Sequence, residues 1–146
     1  MTRPRKDEDG SALIEFVGLA VLLLLPLIYL LLSVFSVQRA SFAVTQAARE
    51  AGRAYATAPS TEAATGRATY AARLALSSQG VTSGLTLYYA PAGAGCNAQA
   101  DGAASLRPGA RFVVCVRTRA DLPLAGSITV NGQYAVSVDT NRATRG

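Results

Sequence analysis

The run FVGLAVLLLLPLIYLLLSVFSV, from Phe16 to Val37, constrains this chain more than any other feature. It holds 22 residues and no charge. As a helix it covers about 33 Å, enough to cross a hydrocarbon core of about 30 Å. In lipid every backbone N–H and C=O must be satisfied within the segment, so a spanning run has to be helical. Pro26 lies midway. Such a proline costs about 3 kcal/mol in a soluble helix, but membrane helices tolerate it, and a kink is expected between Leu22 and Pro26. A cleaved secretory signal has an apolar region of only about 7–15 residues followed by small residues. Here the run is longer, and Gln38-Arg39 follows it. An anchor that stays in the membrane is the expectation.

The stretch KDEDGSALIEF, from Lys6 to Phe16, leads into the run. Arg3, Arg5 and Lys6 are followed by Asp7, Glu8 and Asp9, then by Gly10, Ser11 and Glu15. A carboxylate inside a membrane helix costs about 2.5–3.5 kcal/mol at the centre and less toward the edge. One account of Glu15 is an interfacial residue favoured by the positive end of the helix dipole. The spacing offers another. Gly10, four residues and then Glu15-Phe16, placed after a short charged leader and ahead of an apolar helix, resembles a type IV prepilin processing site. The resemblance implies a membrane peptidase that cuts between Gly10 and Ser11 on the cytoplasmic side. Ser11 then carries a new ammonium group one helical turn from Glu15. Neither charge is stable bare among packed apolar helices. Glu15 of one subunit, with Phe16 beside it, would neutralise the amine of a neighbour and set the register, as polar residues do in coiled-coil cores.

Beyond the span, Gln38 to Ala56 continues the helical pattern. Ala40, Ala43, Ala47, Ala51 and Ala54 recur at steps of three and four. With no proline or loop cluster between the segments, one continuous helix of about 40 residues is expected. A stripe of small residues lets helices approach closely. It also suits a helix packed on its own domain. The segment AAREAGRAYA (Ala47 to Ala56), taken with the processing-like motif, resembles the TadE-like minor pilins and pseudopilins of tight-adherence (Tad/Flp) pilus systems. VCVRTRADLPL and ITVNGQYAVSVDTNR are similar to the strand-rich ends of such proteins. The resemblance implies a single-pass protein of the cell membrane, with a cytoplasmic N-terminus and an extracytoplasmic C-terminal domain, associated with the pilus or its assembly. The implied partners are the prepilin peptidase, other pilin or pseudopilin subunits, the inner-membrane platform proteins and membrane lipid. The alternative is an uncleaved, membrane-anchored extracytoplasmic binding module. Charge counting leaves topology open, because Arg39, Arg49 and Arg53 balance the leader.

The remainder reads as α+β. The expected organisation is a leader over 1–10, a transmembrane helix over 11–37, a helical extension over 38–57 and a small exported domain over 60–146. Ser60 caps a second helix whose apolar face is Ala64, Ala68, Ala71, Leu74 and Ala75, and Gly80 ends it. Alternation then marks strands at Leu85–Tyr89, Phe112–Arg117 and on either side of Asn131-Gly132. A two-residue Asn-Gly turn would put Tyr134 and Val136 on the wrong face. A bulged or three-residue turn at Asn131-Gly132 is therefore expected. The sum is a helix on an antiparallel sheet of about three strands, with Ala90 to Gly109 as a mobile Gly/Ala-rich loop.

Chemistry is sparse. Histidine is absent and the net charge is +5, carried by thirteen arginines and Lys6. The commonest general base and metal ligand is therefore missing. Glu50, Glu62, Asp101, Asp121 and Asp139 form no recognisable catalytic pair. No enzyme activity, metal or cofactor is expected. The arginines are scattered without interleaved aromatics, which argues against nucleic acid. Cys96 and Cys115 have no metal-site spacing. In an oxidising compartment a bridge between them would fasten the long loop to a strand for about 3 kcal/mol. Two free thiols are the alternative.

Overall fold

A computed structural model describes residues 9–97 and 102–141, with side chains from Ala12 onward. The expected leader, apart from Asp9 and Gly10, lies outside the described residues, as does Asp101. The chain forms α1 (Asp9–Ala56), α2 (Thr61–Ser78), β1 (Thr86–Pro91), β2 (Arg111–Leu122) and β3 (Gly126–Ser137). The expected α+β class and the three-stranded antiparallel sheet are both present, with strand order β1-β2-β3.

α1 is 48 residues long and passes Pro26 without a break. Its two halves meet different surroundings. Leu13, Ile14, Phe16 and the leucines through Leu32 are exposed, and none of the most apolar stretch is buried. From Ala40 onward Ala43, Val44, Ala47, Ala48, Ala51 and Tyr55 are fully buried. These belong to one core with α2 and the helix-facing side of the sheet. Segment 38–57 thus supplies the central helix of the domain.

The start of α2 follows its sequence signal: the Ser60 hydroxyl accepts the Ala63 N–H at 3.3 Å. At its end Gly80 N–H bonds Ser77 O at 2.9 Å and Val81 N–H bonds Leu76 O at 3.0 Å, a Schellman closure. The apolar face differs from expectation. Ala64, Ala68, Ala72 and Leu76 are buried, a single row at steps of four. Leu74 points outward, and Ala71 and Ala75 are half-buried. In a helix so rich in alanine several rows look equally apolar, and the large Leu74 lies on an exposed one.

The expected turn at Asn131-Gly132 is absent. β3 runs straight through both residues, and the hairpin turns instead at Pro123-Leu124-Ala125, closed by the pair Leu122↔Gly126. The reason lies in α1. A Cβ on Gly132 would collide with the backbone carbonyl of Val44, and one on Gly52 would lie 2.7 Å from Val136 Cγ2. The two glycines mark where helix and strand touch backbone to surface. Ile128, Val130, Gly132, Tyr134 and Val136 are all even-numbered, so in one unbroken strand they share the helix face.

Both faces of β2 are covered. Phe112, Val114 and Val116 join the helix-side core. Val113 and Cys115 pack with Tyr88, Ala90 and Cys96 on the opposite face. The loop leaving β1 supplies that second cover. It is fastened by the Cys96–Cys115 disulfide, by the Tyr88 hydroxyl donating to Cys96 O at 2.7 Å, and by the Tyr55 hydroxyl donating to Ala104 O at 2.7 Å. Those three ties fasten its described parts.

Candidate functional site

The candidate site is the bare half of α1 and its junction with the domain. Gly10 and Ser11 lie near the start of the described part of α1. Glu15 and Phe16 are exposed, one turn further along. Positions 11 and 15 stand four apart and therefore share a helix face. Among the described residues Glu15 has no ion-pair partner. The next charge along the helix is Arg39, about 36 Å away.

Ala40, Ala43, Ala47 and Ala51 sit elsewhere and do something different. All four are buried inside the chain's own core. The close approach that small side chains allow is made with α2 and the sheet of the same molecule. The exposed apolar surface of α1 lies mainly in its first half, with Phe42 exposed further along. The structure does not bring Glu15 together with the alanine row or the cysteines.

Core electrostatics centre on three rings where α1 ends. Tyr55 meets Tyr89 at 4.7 Å and Phe112 at 5.2 Å between centroids, and Tyr89 meets Phe112 at 6.0 Å. Burial raises the Tyr55 phenol above its ordinary range, partly offset by its bond to Ala104 O. Burial raises Tyr89 further, and the nearby Tyr55 adds to the shift. Thr65 approaches the Tyr89 hydroxyl closely enough to lower it slightly. Even so, the hydroxyl has no partner in hydrogen-bond geometry among the described residues. These groups belong to the helix-side core. On the outer sheet face Arg117 stacks over the Tyr88 ring at 5.5 Å and donates to Asn131 Oδ1 at 3.0 Å. Among the described residues no three His, Cys, Asp or Glu side chains are grouped as a metal would require.

The sequence reading missed the junction between α1 and the β2–β3 hairpin. Ser36, within the apolar run, donates to the Asp121 carbonyl at 2.5 Å. Arg39, Arg119 and Asp121 line a cleft beside it. The available signal was Leu122-Pro123-Leu124, an apolar triplet too short to stand out in the sequence. Searches of family models, curated proteins and solved structures gave no match to this chain.

Proposed function

We propose that this chain is a TadE-like minor pilin or pseudopilin, which acts in assembly of a tight-adherence pilus after cleavage between Gly10 and Ser11. One observation carries the reading: a single 48-residue helix is bare and apolar over its first half and forms the domain core over its second. A helix held so firmly at one end and uncovered at the other needs lipid or other apolar helices around it. The G-S-A-L-I-E start supports the choice of pilin-type helices as the eventual partners. In the membrane, lipid surrounds the bare half. In an assembly, neighbouring subunits replace the lipid, and Glu15 meets the Ser11 amine of a neighbour.

The reading assigns the chain no catalytic role. Its partners are the prepilin peptidase, other pilin or pseudopilin subunits and the inner-membrane platform. The exported domain lies on the extracytoplasmic side, where an oxidising milieu suits the cysteine bridge. Two substitutions test the assignment in cells that make the pilus. Gly10→Val blocks processing, and Glu15→Ala leaves processing in place but reduces assembly. Intact pili from the Glu15→Ala strain would sink the pairing role. Normal piliation with an unprocessed Gly10→Val chain would favour the uncleaved anchor instead.

A further inference from the structure

The β2–β3 hairpin ends in an apolar tip, Leu122-Pro123-Leu124. Leu124 is 99% exposed and holds a φ of 65°. Both are unfavourable for leucine in water: the backbone angle favours glycine or asparagine, and the side chain covers nothing. The tip points along α1 toward the membrane run. Beyond the Ser36–Asp121 bond, Leu122 and Pro123 share a groove with Phe35 and Leu32. Leu32 lies five residues inside the Val37 end of the run, so the tip reaches about 8 Å below that end. Elements that lodge at a bilayer surface bury their apolar side about 5–10 Å deep.

The charges fit the same depth. Arg39 and Arg119 line the cleft beside Ser36, and Arg39 also borders the groove of the tip. Among the described residues neither guanidinium has an ion-pair partner. Asp121 lines that cleft too, and its carboxylate accepts from the Ser83 hydroxyl at 3.3 Å, leaving the patch with one net positive charge. Arginine lays its stem along apolar surface and holds phosphate with two parallel hydrogen bonds.

We propose that the β2–β3 hairpin is a second membrane contact. Leu122, Pro123 and Leu124 enter the interfacial layer of the extracytoplasmic leaflet, with Arg39 and Arg119 at the level of the lipid phosphates. The domain is thereby held against the bilayer in a fixed orientation about α1. The proposal rests on the reading that Phe16–Val37 spans the membrane, and the experiment separates the two.

The chain contains no tryptophan, so one introduced indole reports its own surroundings. Full-length Leu124→Trp, Leu25→Trp and Tyr70→Trp are reconstituted in phosphatidylcholine–phosphatidylglycerol vesicles whose acyl chains are brominated near the headgroup end or near the middle. Tyr70 is exposed on α2 and serves as the water-side control. Leu124→Trp emits to the blue of Tyr70→Trp and is quenched most by headgroup-end bromine, while Leu25→Trp is quenched most by mid-chain bromine. Adding Arg39→Gln and Arg119→Gln weakens quenching of Leu124→Trp, and unchanged quenching removes the arginines from the contact. Quenched Leu25→Trp with unquenched, water-like Leu124→Trp overturns the hairpin contact alone. Unquenched Leu25→Trp overturns the span and the hairpin contact together.

Discussion

Gly132 shows how much a single position decides. Its neighbour Asn131 makes the pair look like a turn, yet the glycine is needed because the Val44 carbonyl lies where a side chain would go. Gly132→Ala should cost about 1–3 kcal/mol, because the helix must move off the strand. Denaturant unfolding of the detergent-solubilised protein measures it, and a neutral result would mean that α1 does not rest on β3 there. Leu74→Ser on the exposed side of α2 should fall within about 0.5 kcal/mol of the unaltered protein. The residue pattern did contain the answer for β3. Ile128, Val130, Tyr134 and Val136 have the parity of one strand, and a longer turn is needed only if Asn131-Gly132 turns the chain. The contact that makes Gly132 necessary joins positions far apart in the chain, which local pattern does not record.

Among the elements, the long helix, the Ser60 cap, the Gly80 stop and the number of strands were legible, because each is set by periodicity or local hydrogen bonding. The buried row of α2 and the site of the β-hairpin turn were not. Alanine marks no side of a helix strongly, and Pro123-Leu124-Ala125 lacks the usual turn residues after its proline. The second face of the sheet depends on the loop fastened at Cys96. Reducing that bridge, or replacing both cysteines with alanine, should lower stability by about 3 kcal/mol, read as a drop in Tm. The tyrosine cluster gives a pH response. Tyr55 and Tyr89 have folded pKa values above the unfolded value of about 10, so their contribution is complete below that pH. It is lost as pH rises through the folded values. Both should ionise in the same step that abolishes the near-ultraviolet circular dichroism. Ionisation of both before that step would contradict the packing of the three rings.

As a whole the molecule is one rod with a domain built around its far half. The long apolar helix was legible because 22 residues run on without a charge. The burial of Ala40 to Ala51 within the chain was not, since a small-residue row suits another subunit as well as its own sheet. In the proposed role the exposed apolar half of α1 meets other pilin-type helices, and the Gly10–Ser11 bond is the point on which that role turns. The most direct test is the intact mass of the protein extracted from membranes of cells with an active prepilin peptidase, beside its Gly10→Val variant. The account predicts a chain that has lost Met1 to Gly10 and begins at Ser11, with the variant left at full length. A full-length unaltered chain in those cells would contradict it.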